Sequence, residues 1–359
     1  MSAQTPTHPV TLRDVAAAAG VNPSTVSRAL WNDPRLRPAT RSRLQALARE
    51  LGYRPNPFVS AFTAQVRTHR RAPQHAAIAV LDTFGDTDDP RQKWLVVYLR
   101  GARRRATDNG FNVEILKPQG AVQSLHDLSK VIRARGLHAV LVLPVTGQPS
   151  FSDFDFTHLA CATIDYSLQH PPLHRASHDY FQGMHLALDS LRAHRRHRIG
   201  FCTYRGEVRR IGAHWMGAFL NWQQACPPEE RVAPCVVSLD HNGAPLASRE
   251  ADRGWDACQA EFGRWLKQER PDAVVSNDLF FLDWLRKLGR RVPQDVAFAS
   301  LGLTVEQRNL AGIDQMSERV GAAATDLIIE QIHRNEFGIT LTQKTVLVPG
   351  VWVDGASAD

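Results

Sequence analysis

Two short helical patterns separated by a glycine stand near the amino terminus of this chain and constrain its fold more than any other feature. In the first pattern, Thr11 can accept a hydrogen bond from a free amide of the first helical turn, and Asp14 can return one. Gly20 ends this helix, because glycine readily adopts the left-handed conformation of a helix terminus. The second helix follows directly, with Asn22 as a favourable cap and Pro23 at the first helical position. The pattern predicts two helices joined by about three residues.

Apolar spacing predicts that these two helices pack against a third one. Val26 and Leu30 lie four positions apart and are expected to face inward. The third helix is predicted over 38–51, just before Gly52. The other residues expected to face this core are Val15, Ala19, Val21, Leu44, Leu47 and Leu51. Two helices connected by a tight turn and braced by a third form the helix-turn-helix arrangement.

The excess positive charge of the chain is located in its first fifth. The first 73 residues contain 11 arginines, no lysine and three acidic residues, which gives this segment a net charge of +8. The remaining residues carry 32 basic and 33 acidic side chains, so the excess of the whole chain, +7, comes from the amino-terminal segment. A basic segment attached to a nearly neutral body is typical of a protein that binds a polyanion. A solubilising tail would also be basic, but it would lack the apolar periodicity of this segment.

The outward face of the second helix carries residue types that can contact DNA. Five residues remain near the outer face and the amino-terminal end of this helix: Pro23, Ser24, Thr25, Ser27 and Arg28. A recognition helix contacts base edges from that end. Arg28 can donate two hydrogen bonds to a guanine, and the hydroxyls of Ser24 and Thr25 can reach a base edge or a phosphate. The alternative is a solvated helix face that binds nothing.

The stretch VTLRDVAAAAGVNPSTVSRAL, from Val10 to Leu30, resembles the headpiece of the LacI/GalR (lactose-repressor) family of bacterial transcriptional regulators. The similarity continues at Thr40 and Arg41 and through LGYRPNP, which starts at Leu51. Weaker resemblance extends over the rest of the chain. The resemblance implies a repressor that binds pseudopalindromic double-stranded operator DNA as a two-fold homodimer. It also implies control by a small-molecule effector, with sugar-like molecules as candidates.

The family pattern implies roles for individual residues of the headpiece. The residues expected to contact bases are Pro23, Ser24, Arg28 and Arg35. The residues expected to contact phosphates are Thr11, Asn22, Thr25, Ser27, Tyr53 and Asn56. Two positions depart from the pattern: Trp31 replaces an asparagine that makes a polar backbone contact, and Arg37 replaces the serine or threonine that caps the third helix. We therefore expect a weaker cap at Arg37, whose side chain can instead meet a phosphate.

Residues 56–73 are predicted to form a hinge and linker between the headpiece and the body. Asn56 and Pro57 can start a helix of two turns, which is marginal alone in water. The resemblance implies that this hinge orders on operator DNA and enters the minor groove, with Phe62 at the position of the family's leucine wedge. An apolar wedge kinks the duplex by separating two base steps. The alternative for Phe62 is packing against the dimer partner.

From residue 76 onward, short apolar runs alternate with helical patterns. A first series has predicted strands at 76–81, 113–116, 139–143 and 162–164 and a helix over 94–109. A second series has predicted helices at 180–193, 213–225, 254–268 and 279–288 and strands at 199–202, 236–239, 273–276 and 296–299. Strands separated by single helices predict parallel sheets with helices on both faces, and two series predict two lobes with a ligand cleft near the carboxyl ends of the strands.

The predicted fold class is therefore an all-α helix-turn-helix headpiece followed by an α/β body. The headpiece is assigned to 1–55, the hinge and linker to 56–73, and an effector-binding and dimerisation domain to 74–359. This last domain is expected to have two parallel-sheet lobes and resembles a periplasmic sugar-binding protein, which is the body plan of the LacI family.

The resemblance also implies an effector site between the two lobes. The residues at matching positions are Phe84, Trp94, Asp165, His214, Asn277, Asp278 and Gln315. Two of these have structural alternatives, because Trp94 can belong to the core or to a dimer contact and Asp278 can cap the next helix.

Two departures weaken the expectation of a monosaccharide site. His214 replaces the arginine with which the family clamps its effectors, and Gly302 replaces an aspartate. A cation and a carboxylate of the usual clamp are thus missing. Arg209 or Arg210 is a candidate substitute for the cation.

Other function classes find no support in the sequence. The five cysteines include no C-x-x-C pair, which disfavours a disulfide framework or a zinc site and predicts reduced thiols in a cytoplasmic protein. The resemblance implies that this protein is bacterial and associated with the nucleoid. There is neither a secretory signal nor an apolar run long enough for a membrane span. The chain also lacks a nucleophile elbow, a phosphate-binding loop and a helical zinc motif, so we predict no enzymatic activity, no metal and no cofactor.

Overall fold

The computed structural model contains, in chain order, a small helical domain and a two-lobed α/β body. It describes residues 10–30, 33, 35–53, 77–83, 93–118, 124–145, 149–239, 249–304, 307 and 309–359. Three predicted site residues, Asn56, Phe62 and Phe84, lie outside the described residues, as does the predicted hinge and linker at 56–73.

The part of the headpiece described by the structure folds into three helices around a small apolar core. The helices are α1 (Leu12–Ala19), α2 (Pro23–Leu30) and α3 (Pro38–Glu50). The buried residues of the core are Val15, Ala16, Val26, Ala29, Leu44 and Ala48. The helix-turn-helix prediction is confirmed, and every member of this core comes from the headpiece itself.

The ends of α1 are formed as the sequence predicts. The backbone amide of Thr11 donates to Asp14 Oδ2 at 2.7 Å, and the amide of Asp14 donates to Thr11 Oγ1 at 3.4 Å. Gly20 has φ +66°, in the left-handed region. One core prediction is wrong: Leu51 is exposed, because α3 ends at Glu50 and the chain turns away at the next residues.

Each lobe of the body contains a six-stranded sheet within the described residues. The strands of the first lobe are β1 (Ala77–Leu81), β2 (Asn112–Leu116), β3 (Ala139–Val142), β4 (Ala160–Ile164), β5 (His174–His178) and β11 (Thr345–Val348). All are parallel, in the order β11-β5-β4-β3-β1-β2. The helices of this lobe are α4 (Lys93–Asp108), α5 (Leu125–Ala134) and α11 (Ser317–Arg334). Helix α11 packs against α4 and covers β3, β4 and β5.

The second lobe repeats this plan with one reversed strand. Its strands are β6 (Ile199–Tyr204), β7 (Cys235–Val237), β8 (Ala273–Ser276), β9 (Ala297–Ser300), β10 (Ala311–Asp314) and β12 (Val351–Val353). Their order is β12-β10-β9-β8-β6-β7, and only the pairing of β12 with β10 is antiparallel among these described strands. The helices are α6 (Tyr180–Ala193), α7 (Arg205–Arg210), α8 (His214–Gln224), α9 (Arg249–Glu269) and α10 (Phe280–Lys287).

The chain passes between the lobes three times. Two consecutive series of strands, one for each lobe, predict only a single passage. The crossings follow β5, β10 and β11, so the carboxyl-terminal helix α11 and strand β11 complete the first lobe. The sequence analysis missed these two elements and also α5, α7, β5, β10 and β12. In β5, the residues His174, Ser177 and His178 are polar although the strand is buried. A buried polar strand lacks the apolar run by which strands are recognised.

His178 marks the place where the crossings meet. Its ring is buried at the end of β5, next to the positions of Gly183 on α6 and Gly350 between β11 and β12. A Cβ atom at Gly183 would lie 2.5 Å from His178 Nε2, and one at Gly350 would lie 2.7 Å from His178 Cε1. The connections between the lobes are therefore packed tightly around one imidazole, and glycine is needed on both sides of it.

Helices α4 and α11 touch backbone to backbone through two reciprocal glycines. A Cβ atom at Gly101 would overlap the carbonyl oxygen of Glu318, and one at Gly321 would overlap the carbonyl oxygen of Tyr98. Because the clashing atoms are backbone atoms, a larger residue can fit only if the helices separate. These glycines fix the distance at which the last helix of the chain joins the first lobe.

We expect Gly101→Ala and Gly321→Ala each to destabilise the body by about 1–3 kcal/mol, because the added methyl group forces the two helix backbones apart. Gly217→Ala is the matched control: this helical glycine is exposed with open space around it, so alanine should stabilise α8 by about 0.5–1 kcal/mol. Urea unfolding followed by circular dichroism measures both effects. Equal midpoints for the three variants would contradict the proposed close packing.

Candidate nucleic-acid interface and ligand site

The outer face of α2 presents the residues that the sequence predicts for DNA contact. Pro23, Ser24 and Arg28 are exposed, while Thr25 and Ser27 are half-buried. Val26 and Ala29 on the opposite side are fully buried in the headpiece core. The helix therefore presents short hydroxyl side chains and one guanidinium group to solvent from a fixed scaffold.

The amino-terminal end of α2 is held by Asn22. Its Oδ1 accepts hydrogen bonds from the backbone amide of Ser24 at 3.0 Å and from Ser24 Oγ at 2.9 Å. This confirms the capping predicted for Asn22 and orients the Ser24 hydroxyl group at the end of the helix that the sequence predicts to face bases.

Arg35 is oriented by a carboxylate that the sequence analysis did not single out. Its Nε and Nη2 donate to Asp33 Oδ1 and Oδ2 at 3.0 and 2.7 Å, and the backbone amide of Asp33 donates to the carbonyl oxygen of Arg28 at 2.9 Å. The hydrogen bonds from Arg35 lower the pKa of Asp33 to about 2. The Arg35 side chain remains 78% exposed, so the pair holds it beside the end of α2 without burying it.

The other headpiece residues that the sequence analysis singled out have structural surroundings of their own. Thr11 Oγ1 donates to Asp14 Oδ2 at 2.7 Å, so this hydroxyl belongs to the α1 cap. Tyr53 is half-buried against the core after the turn at Gly52. Arg37 precedes α3 without a side-chain cap, as expected. Gln45, which the sequence analysis missed, donates to the carbonyl oxygen of Ala29 at 2.8 Å and braces α2.

In the body, several predicted residues lie at the carboxyl ends of strands. Asn277 follows β8, Gly302 follows β9 and Gln315 follows β10, and their positions converge. Gln315 Nε2 donates to the carbonyl oxygen of Leu301 at 2.7 Å. A Cβ atom at Gly302 would lie 2.6 Å from Asn277 Oδ1 and 2.9 Å from Gln315 Nε2. The two amide side chains thus occupy the space that an aspartate at this position would need.

Asp165 is a buried carboxylate directly after β4. It has φ +68°, a conformation that costs a non-glycine residue of the order of 1–3 kcal/mol and persists only where the surroundings enforce it. Its Oδ1 accepts hydrogen bonds from Tyr180 Oη at 2.7 Å and from the backbone amide of Tyr166 at 2.6 Å. The side chain is held on the edge of the first lobe that faces the second.

Arg210 on α7 supplies the cation at this edge. Its Nη1 pairs with Asp165 Oδ2 across the lobes, while its Nε and Nη2 donate to Glu207 Oε2 and Oε1 at 2.8 and 2.7 Å. The three side chains are largely buried. Of the two candidate arginines from the sequence, Arg210 therefore enters the site, and Glu207 is a partner that the sequence did not indicate. Breaking such a pair is costly, because it leaves a buried charge uncompensated.

Asp278 lies beside this network without belonging to it. Its Oδ2 is buried and accepts no hydrogen bond from the residues that the structure describes. Burial and the nearby carboxylate of Glu207 raise the pKa of Asp278 to about 8. Helix α10 begins at Phe280 with Leu279 before it and no side-chain cap, so Asp278 does not cap that helix.

Aromatic rings adjoin the same carboxylate network. The centre of the His214 ring lies 4.1 Å from the centre of the Tyr166 ring. It lies 6.3 Å from the centre of the Tyr180 ring, and the planes of these two rings are nearly parallel. Burial lowers the pKa of His214, which favours its neutral imidazole form. Arg175 is placed with its guanidinium carbon 5.0 Å from the centre of the Tyr166 ring. Trp94 is half-buried and packs edge-on against Tyr98, at 6.0 Å between ring centres.

Two family models match separate parts of the chain. The model described as bacterial regulatory proteins, lacI family, matches residues 11–56, and that of a periplasmic binding protein-like domain matches residues 188–358. No helix of the described residues is long and apolar enough to cross a bilayer.

The chain is similar to curated regulators and to a solved repressor structure. The HTH-type transcriptional regulator MalR of Streptococcus pneumoniae is 29% identical over 140 residues, 38% of this chain and 39% of that protein. The HTH-type transcriptional repressor CytR of Escherichia coli is 33% identical over 105 residues, 29% of this chain and 27% of that protein. These matches span well under half of the relatives' length. The structure of the lac repressor dimer bound to operator and the anti-inducer ONPF has a TM-score of 0.54 and 19% identity, covering 98% of this chain and 99% of that one. This last likeness shows a shared fold.

We expect Asp278→Asn to stabilise the protein more at pH 8 than at pH 5. The folded-state pKa of Asp278 lies above its ordinary value of 3.8, at about 8, so its protonated form favours folding and wild-type stability falls as the pH rises between these values. Asparagine resembles the protonated acid and removes this dependence. Urea midpoints at several pH values measure the difference between variant and wild type. Asp283→Asn, at an exposed position on α10, is the control, and a pH-independent difference for Asp278→Asn would contradict the assignment.

Proposed function

We propose that this chain, which belongs to the LacI family of bacterial regulatory proteins, is a sequence-specific DNA-binding transcriptional repressor controlled by a small molecule bound between the two lobes. The observation that carries this proposal is the outer face of α2, where Pro23, Ser24 and Arg28 are exposed on a helix fixed by its own core. The net charge of +8 over the first 73 residues supplies attraction to phosphates.

We assign the proposed roles to three consecutive segments of the chain. Residues 1–55 form the DNA-binding headpiece, 56–73 the hinge and linker, and 74–359 the effector-binding and dimerisation domain. The proposed DNA contacts are Thr11, Asn22, Pro23, Ser24, Thr25, Ser27, Arg28, Arg35, Tyr53, Asn56 and Phe62. Two copies of the chain would place two α2 helices on a pseudopalindromic site, because operator symmetry mirrors protein symmetry. Phe62 would act as a wedge in the minor groove.

The effector is proposed to bind where the two lobes meet. The proposed contacts are Phe84, Trp94, Asp165, His214, Asn277, Asp278 and Gln315. The ion pair of Asp165 and Arg210 supports this location, because it spans the two lobes and a ligand at the same edge changes its surroundings. Such a ligand shifts DNA affinity only by its differential affinity for two arrangements of the lobes.

The proposal includes a cellular location and the absence of enzymatic activity. We place the protein in the bacterial cytoplasm at the nucleoid, without enzymatic activity, and the similarity to transcriptional regulators supports this reading. A rival reading as an enzyme requires turnover of a substrate and has no nucleophile in the sequence to support it.

A salt series on the purified protein tests the function. An operator is first selected from a random duplex pool, and its affinity is then measured by fluorescence anisotropy at increasing salt. We expect the affinity to fall roughly a thousandfold or more between 50 and 200 mM salt, because phosphate contacts release counterions. Failure to select any sequence, or affinity that does not depend on salt, would refute the proposed function.

Arg28→Ala should relax sequence preference at a single base pair of each half-site. Loss of a two-hydrogen-bond contact to guanine removes about 1–3 kcal/mol of discrimination at that position. Competition between the selected operator and its single-base variants measures the effect. Arg43→Ala, which removes an exposed arginine from α3, is the control and should weaken binding to all sequences alike or leave it unchanged. Unaltered preference in Arg28→Ala would exclude the proposed base contact.

A further inference from the structure

Three of the five cysteines lie together in the core of the second lobe. Cys202 on β6, Cys235 on β7 and Cys258 on α9 belong to one cluster of buried residues. All five cysteines are buried, and none is joined in a disulfide. The sequence does not indicate this grouping, because the three residues are far apart along the chain. Only the pairing of β6 with β7 and the packing of α9 against β7 bring them together.

Cys202 and Cys235 stand directly opposite each other in neighbouring strands. They are register partners in the parallel pairing of β6 with β7. Neighbouring strands lie about 4.8 Å apart, and a disulfide joins residues whose Cα atoms are about 4.4–6.8 Å apart. The two thiol groups also interact directly, while Cys258 approaches Cys235 from α9. The backbone therefore already places Cys202 and Cys235 at the separation that a disulfide requires.

Strand β7 can expose this pair by opening locally. It has three residues, lies at one end of the second sheet and pairs with β6 alone among the described strands. Elements with few contacts open at a lower free energy than the central strands of a core. Burial raises the pKa of the Cys202 thiol well above its usual range, so the closed strand protects an unreactive thiol. The pair becomes accessible to a small oxidant when β7 opens.

We propose that Cys202 and Cys235 form a reversible disulfide when the protein meets a peroxide, and that this bond secures β7 on the second sheet. Disulfides that form transiently in a reducing compartment usually serve redox sensing. The inference goes beyond the proposed function and does not depend on DNA or effector binding. A metal site is a poorer role for the cluster, because no group of three or more His, Cys, Asp or Glu side chains among the described residues is arranged to hold an ion.

The reaction takes place in two steps and consumes one molecule of hydrogen peroxide. The thiolate of Cys235 attacks one peroxide oxygen, the O–O bond breaks, and the other oxygen leaves as water, so that Cys235 becomes a sulfenic acid. The thiolate of Cys202 then attacks the sulfenic sulfur, the S–S bond forms, and the hydroxyl group leaves as a second water. The two thiols together lose two electrons and two protons, which the peroxide takes up. A reducing thiol reverses the reaction by disulfide exchange.

Peroxide treatment of the reduced full chain, without denaturant, tests the assignment. Remaining thiols are blocked with iodoacetamide, and the protein is digested without reduction and mapped by mass spectrometry. We expect the loss of two of the five free thiols and a pair of peptides joined through Cys202 and Cys235, which separates after treatment with dithiothreitol. Five unreacted thiols, oxygen added to single cysteines without a cross-link, or a bond from Cys235 to Cys258 would each overturn the inference. This measurement needs no substitution.

Amide hydrogen exchange tests whether the bond secures the strand. In the oxidised wild type, the amides of β7 should exchange at least about tenfold more slowly than in the reduced protein, because the disulfide opposes opening of the strand. Cys202→Ala should lose both the cross-link and this difference. Cys161→Ala, which removes a buried thiol from β4 in the first lobe, is the matched control and should retain both. Equal exchange in the oxidised and reduced wild type would refute the proposed effect on β7.

Discussion

One guanidinium group ties the two lobes of the body together. Arg210 reaches from α7 in the second lobe to Asp165 in the first and holds Glu207 of its own helix with two further hydrogen bonds. In a buried site, such charges are costly to separate and poorly screened by salt. The positive φ of Asp165 and the hydroxyl group of Tyr180 that binds it are part of the same arrangement. The geometry of the proposed ligand site therefore depends on this ion pair between the lobes.

The headpiece relies on a different kind of constraint. Its core is small, and two hydrogen bonds hold α2 in place: Asn22 accepts from Ser24 at the start of the helix, and Gln45 donates to the carbonyl oxygen of Ala29 near its far end. Arg35 is likewise oriented by Asp33 while remaining exposed. This placement reduces the conformational freedom that these side chains would lose on contact with DNA, which favours specific binding.

Local patterns made much of this architecture predictable. The capping pair of Thr11 and Asp14, the turn at Gly20 and the apolar run of β1 are each set by residues adjacent in sequence, and each was predicted. The errors arose where contacts between residues far apart in sequence determine the local structure. Strand β5 is polar yet buried by its neighbours, and α11 joins the first lobe only because Gly101 and Gly321 let it approach α4. At the proposed ligand site, the sequence does not distinguish between Arg209 and Arg210, and only the fold brings Arg210 to Asp165.

The three crossings between the lobes have a consequence for how the chain matures on the ribosome. Among the residues that the structure describes, the core of the headpiece is built from residues 10–53, so it can assemble as soon as that segment has emerged. Neither lobe can complete its sheet so early. The first sheet lacks an edge strand until Val348 has been made, and the second until Val353. The segment proposed to bind DNA is thus finished early in translation, whereas both halves of its proposed control element are completed almost together, once the residues up to Val353 have been added.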